Sequence, residues 1–183
     1  MMDEKDIMLR VQAGELDKLA VLFERYKVKL FNYFLRMGNN RSLSEDLVQE
    51  TFMKVLAYRT SFNGKSSFSS WLYGIARNTA ADHHRKTQHA RHHDDIDEHE
   101  LETTHTLGET IEGSQQQAMF EKSLAGISAE HREIIILSRF QQLNYQDIAS
   151  LLDCNLNTLK SKMRNAISKL HEQYNKLSGE VNL

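Results

Sequence analysis

Apolar residues recur at helical spacing through most of this chain, but the repeat fails between Thr87 and Ser114, where the sequence runs TQHARHHDDIDEHELETTHTLGETIEGS. A stretch this polar cannot bury enough apolar surface to offset the entropy of ordering it. The fold must therefore be built as two blocks, residues 1–90 and 115–183, joined by a flexible, acidic, histidine-rich linker over 91–114. Charge follows the same division. The net charge of −2 averages +5 over residues 1–93, −9 over 94–121 and +2 over 122–183, and the middle span holds no lysine or arginine. Two mildly basic blocks around an acidic one hint at nucleic-acid contact, although a modest positive balance is more often a solvated surface.

Composition narrows the classes further. A chain of 183 residues fits one or two small domains, not a large multidomain enzyme. The single cysteine, Cys154, forbids an internal disulfide and fits a reducing compartment. No run approaches the roughly 18 apolar residues of a membrane span, and the opening MMDEKDIML is acidic, unlike a signal peptide. The expectation is a soluble, cytoplasmic protein. There is no proline, where ordinary usage of roughly 5% would give about nine, so helix ends must be made by Gly, Asn, Asp or Ser. Seven of the nine histidines fall between His83 and His105, but their spacings match no closed zinc site. No metal and no other cofactor is expected.

In the first block Leu16, Leu19, Ala20, Phe23, Val28, Leu30, Phe31 and Phe34 mark a helix that Met37-Gly38-Asn39-Asn40 stops. Ser44 is placed to cap the next helix, with Glu45 and Asp46 in its first turn. Leu47, Val48, Phe52, Val55 and Leu56 form its core stripe. Asp46, Gln49, Glu50 and Met53 stand at i, i+3, i+4 and i+7 and share the other, exposed face; such a face is either an interface or plain surface. A loop rich in Gly, Asn and Ser follows and carries Phe68 and Trp71 into a third helix. Leu72, Ile75, Ala76, Thr79 and Ala80 point inward there, and Arg77, Asn78, Asp82, Arg85 and Lys86 lie elsewhere on it. Aromatics beside a cationic groove suit unstacked bases; the same rings are also candidates for the core.

The second block reads as a helix over roughly 115–125, a helix capped by Ser128 with Ile134, Ile135 and Leu137 as core, and a helix capped by Asn144. The turn Asp153-Cys154-Asn155 leads into a longer helix with Leu156, Leu159, Met163, Ile167, Leu170 and Tyr174 inward. Two helices across a short turn, the second rich in Thr, Lys, Ser and Arg, form a helix-turn-helix pattern, with the small Ala149 allowing a close crossing. Asn157, Thr158, Lys160, Ser161, Arg164 and Asn165 face outward and are donors able to reach phosphates and major-groove base edges. The fold class is all-α, in two small helical domains.

Two stretches carry a resemblance. DLVQETF at 46–52, followed by FSSWLYGIARNTAAD at 68–82, resembles region 2 of the sigma-70 family in its small extracytoplasmic-function (ECF) group. YQDIA at 145–149 with NTLKSK at 157–162 resembles region 4 of that family, and the order, linker and length fit it too. The resemblance implies a promoter-specificity subunit without catalysis or a small-molecule substrate. Core RNA polymerase would take Asp46, Gln49, Glu50 and Met53 on the clamp helices of its largest subunit, and region 4 would meet its flap. The −10 element of promoter DNA would be opened and read by Asn63, Lys65, Ser66, Trp71, Arg77, Asn78, Asp82, Arg85 and Lys86. Region 4 would read the −35 element through Tyr145, Asn157, Thr158, Lys160, Ser161, Arg164 and Asn165.

The resemblance also implies control by an anti-sigma factor, since no extended C-terminal regulatory domain is recognised. The acidic linker would thread polymerase channels, so neutralising Asp94, Asp95, Asp97 and Glu98 should alter early transcription. Departures from the family pattern are local. Ser128 and Asn155 stand where relatives often carry proline, Asn155 is expected to supply the positive φ of the turn, and Asn165 replaces a common basic residue. Two rival readings remain at this point: a stand-alone helix-turn-helix regulator, and a histidine-rich metal protein.

Overall fold

The computed structural model describes residues 2–93 and 115–181, and every regular element among them is helical. In chain order these are α1 (Glu4–Gln12), a 3-10 turn (Leu16–Lys18), α2 (Leu19–Arg36), α3 (Arg41–Ala57), a second 3-10 turn (Arg59–Ser61) and α4 (Phe68–His93). After the linker come α5 (Gln115–Ala125), α6 (Ala129–Ile135) with a π turn (Ile136–Phe140), α7 (Tyr145–Leu151) and α8 (Leu156–Val181). Residues 94–114, with the linker carboxylates, lie outside the described residues. Two compact units are present: 2–31 with 42–93, and 32–41 with 115–181.

The first unit buries Ile7, Met8 and Val11 of α1, Leu22, Tyr26 and Leu30 of α2, five large or β-branched residues of α3, and Phe62, Phe68, Leu72 and Tyr73. The stripe of α2 is turned from the expected one. Leu16 and Val28 are 48% and 59% exposed, and Tyr26 takes a buried place. A tyrosine ring can be buried when its hydroxyl finds a partner: Tyr26 Oη donates to Glu4 Oε2 at 2.6 Å. Burial, with help from Glu4, pushes that hydroxyl well above its usual range.

Helix α3 begins at Arg41, so Ser44 lies inside its first turn and is fully buried rather than capping it. Asn40, as good a capping type as Ser, already precedes the earlier start. Helix α4 runs on to His93, through residues whose polarity had pointed to the linker. No glycine or proline interrupts the sequence between Gly74 and Gly108, and Lys86, Gln88, Ala90 and Arg91 are good helix formers. The Thr87 hydroxyl, which might have competed with the backbone, donates back to the His83 carbonyl at 3.0 Å.

In the second unit the end of α2 closes with Gly38 at φ +100°, and the Asn39 amide donates to the Phe34 carbonyl at 3.3 Å. Tyr33 Oη donates to buried Glu133 Oε1 at 3.0 Å. Arg36 pairs with Glu121 at 3.0 Å and lies 4.1 Å over the Phe140 ring. The Arg132 guanidinium donates to the Leu124, Ala125 and Ile127 carbonyls, tying off the end of α5. Ser128 and Asn144 cap α6 and α7, accepting from the His131 and Asp147 amides.

Two turn details differ from the sequence reading. Asp153, not Asn155, takes the left-handed conformation, at φ +49°; aspartate is among the few side chains that tolerate it. Asn155 instead caps α8, its Oδ1 accepting from the Thr158 amide at 2.8 Å. On α8, Leu159, Met163 and Ala166 are buried and Ile167 is 45% exposed. The buried line steps i, i+4, i+7, which reaches Ala166 and passes Ile167 by.

Candidate nucleic-acid interface

In the first unit α3 turns Leu47, Val48, Thr51, Phe52 and Val55 inward. Asp46, Gln49 and Met53 are therefore exposed, and Glu50 is half-buried beside them. Met53 is 67% exposed, the largest exposure among the big apolar side chains described. Lys54, which the sequence reading passed over, joins this face to α4. Its Nζ lies 3.1 Å from Glu50 Oε1 and 3.0 Å from Asp82 Oδ2. Arg85 takes the other Asp82 oxygen.

Asp82 is thus a carboxylate held between two cations, with its side chain 37% exposed. The hydrogen bonds from Lys54 and then Arg85 hold it below the usual carboxylate range. Burial works to lower the Lys54 ammonium, but Asp82 and Glu50 raise it on balance. The signal was present in sequence, since Lys54 stands four residues after Glu50.

The loop before α4 is pinned from below by rings. Phe62 and Phe68 are 1% and 2% exposed. Half-buried Trp71 lies 5.2 Å from Phe62 and 6.1 Å from Phe68, centroid to centroid. Phe68 is therefore core, whereas Trp71 both packs and borders the loop. Ser67 caps α4, its Oγ accepting from the Ser70 amide at 3.2 Å. Asn63 Oδ1 accepts from the Lys65 amide at 2.9 Å, fixing the turn, and Gly64 sits at φ +67°. Asn63, Lys65 and Ser66 are exposed, as are Arg77, Asn78, Arg85 and Lys86 on α4.

In the second unit α7 and α8 stand as a helix-turn-helix, with the Cys154 amide donating to the Ala149 carbonyl at 2.9 Å across the turn. Ala149 is 5% exposed, as a close crossing needs. Asn157, Lys160, Ser161, Arg164 and Asn165 are exposed; Tyr145 and Thr158 are half-buried. Arg164 Nη2 donates to Ser161 Oγ at 3.2 Å. Among the described residues neither Lys160 nor Arg164 forms an ion pair. A shallow concavity runs past Asn155, Asn157, Thr158, Ser161, Lys162 and Asn165. Lys162, absent from the expected set, is paired with Glu130 of α6 at 2.6 Å.

Among the described residues no three His, Cys, Asp or Glu side chains converge as a metal site would need. No described helix is long and apolar enough to cross a membrane.

Comparison with known proteins joins these surfaces. The sequence profile of Sigma-70 region 2 matches residues 22–90, and that of Sigma-70, region 4 matches residues 117–170. The chain belongs to the sigma-70 family, and within it to the extracytoplasmic-function type. It is similar to the RNA polymerase sigma factor YlaC of Bacillus subtilis, 28% identical over 163 residues, 87% of this chain and 94% of that one. It is similar to the ECF RNA polymerase sigma-E factor of Haemophilus influenzae, 27% identical over 170 residues, 87% and 89% of the two chains. Among solved structures it resembles the sigma factor RpoE, co-crystallised with the anti-sigma factor NepR from Bartonella quintana. That match has a TM-score of 0.65 at 28% identity and covers 86% of this chain and 94% of the other.

Proposed function

We propose that this protein is a cytoplasmic, non-catalytic subunit that binds core RNA polymerase and directs it to promoters. The α3 face of Asp46, Gln49, Glu50 and Met53 docks on the polymerase clamp. The loop 63–67 with Trp71, Arg77, Asn78, Arg85 and Lys86 opens and reads the −10 element. Here Asp82 acts through Lys54 and Arg85 rather than on DNA itself. The exposed face of α8, with Tyr145, reads the −35 element, and the same unit meets the flap. One observation carries the reading: regions 2 and 4 occur in order on one chain, each with its polar face turned outward.

The likeness to a sigma factor seen with its anti-sigma factor supports control by a partner of that kind. The test is transcription in vitro from a promoter library with core enzyme and this protein. Stimulation of a defined promoter set is expected, together with co-purification with core. Tight, sequence-specific binding of duplex DNA without core, and no stimulation, would instead identify a stand-alone regulator.

A further inference from the structure

The first turn of α1 carries a cation that neither the fold nor the surfaces above account for. Lys5 is exposed, it is the sole Lys or Arg among the first nine residues, and among the described residues it makes no ion pair. A cation at this end of a helix opposes the helix dipole, whereas the neighbouring Glu4 and Asp6 complement it. Stability of α1 therefore gives no reason for a lysine there.

Its side chain reaches away from α1 to the loop ahead of α4. A Cβ built on Gly64 would stand 2.7 Å from Lys5 Cε and 3.4 Å from Lys5 Nζ. The lysine stem thus fills the space that a side chain at 64 would need, and its ammonium lies against the turn that Asn63 and Lys65 make. Helix α1 is fastened to the same region independently. Gln12 Nε2 donates to the Thr60 and Phe62 carbonyls, at 3.0 and 3.3 Å.

We propose that Lys5 is a further nucleic-acid contact, its ammonium laid over Gly64 to neutralise a phosphate of the single strand held at loop 63–67. The proposal rests on the reading of that loop as the −10 surface. An ammonium on a flexible stem is a point charge, suited to a phosphate and not to the paired donors and acceptors of a base edge. Lys5 therefore contributes affinity that is independent of sequence and sensitive to salt.

The test uses polymerase reconstituted with the full-length protein and a labelled promoter fragment whose −10 non-template strand is single-stranded. Affinity is followed against salt concentration. Lys5→Ala and Lys5→Gln should each make the log–log slope shallower by about 0.7, the value for one phosphate on a single strand. The loss should be the same factor for every −10 sequence, and Lys5→Arg should restore the slope. Should Lys65→Ala lower the slope while both neutral Lys5 variants keep it, the proposal is overturned and the loop reading stands. Should neither position matter, the loop reading falls and the proposal with it. A loss that depends on base sequence overturns the phosphate assignment.

Discussion

The first unit is closed by aromatic rings, and the second by a run of branched aliphatics. In the first, Phe68 meets Tyr26 edge-on at 5.4 Å and Phe62 at 6.2 Å, and Trp71 completes the cluster from the rim. In the second, residues 134–137 are three isoleucines and a leucine, none more than 3% exposed, buried with Leu159 and Met163. Charge differs in the same sense. The first unit interleaves anions with its cations, Glu50 and Asp82 about Lys54, whereas α8 leaves Lys160 and Arg164 without an ion pair among the described residues. A surface that must present a ring to an unstacked base needs that ring braced from below, and its charges held in register. A helix that enters a duplex groove needs only a firm back and free cations.

The sharpest way to break this contrast is to remove a ring. Phe68→Ala should cost about 3–5 kcal/mol, in the range for a buried aromatic cut to alanine. Trp71 is the chain's one tryptophan, so its fluorescence follows the first unit during denaturation. Ile134→Val, by contrast, should cost about 0.5–1.5 kcal/mol and leave the Trp71 midpoint in place. Equal shifts of that midpoint by both variants would show that the cores are not distinct.

The next effect concerns the free cations. Arg164→Ala should weaken promoter binding by about 1–3 kcal/mol and relax preference at one −35 position, as loss of a base-reading arginine does. Binding curves across single-base −35 variants check this. A uniform loss over all of them would make Arg164 a phosphate contact instead. A smaller change tests how the helix is started: Asn155→Ala should cost about 1 kcal/mol and Asn155→Gly a few tenths, as for N-caps in general. Thermal denaturation followed by far-ultraviolet dichroism separates the two.

These cases also mark what could be read before any coordinates. The faces of α3 and α8 were legible because helical spacing alone sorts Asp46, Gln49 and Met53, or Asn157, Ser161 and Arg164, away from the buried line. One stretch of each family motif, 46–52 and 157–162, lies on those two helices. Failures came where one residue type can serve two ends. Tyr26 and Tyr33 are absent from the expected core stripe, yet each buries its ring by giving its hydroxyl to a carboxylate. Helix α4 runs three residues past the expected boundary at 90, because a helix end with no apolar residues at helical spacing leaves no period to detect. Asp153 takes the positive φ expected of Asn155, and Asn155 caps α8 instead, since both types tolerate positive φ and both cap helices. Lys54 and Lys5 were missed for a plainer reason. Each acts on a partner from another helix or loop, Asp82 for Lys54 and the Gly64 turn for Lys5, and local spacing records at most the Glu50–Lys54 pair within α3.

The smallest expected effect bears on the charges that set the units apart. Asp82 is held below the usual carboxylate range by Lys54 first and Arg85 second. A depressed carboxylate contributes stability that is present above its unfolded value, about 4 for aspartate, and is lost as pH falls through the folded one. Lys54 is raised on balance, so its share is present below the ordinary lysine value of about 10.4 and is lost as pH climbs through the folded value. Lys54→Met removes one member from both limbs. The Trp71 unfolding midpoint should then depend less on pH at each extreme, and Asp82→Asn should flatten the acid limb while leaving only the Glu50 part of the alkaline one. Glu130 is likewise depressed by Lys162, but in the second unit. Glu130→Gln should therefore leave the Trp71 acid limb as steep as before. A Glu130→Gln variant that flattened it would mean that the first unit's acid sensitivity does not come from Asp82 and its two cations.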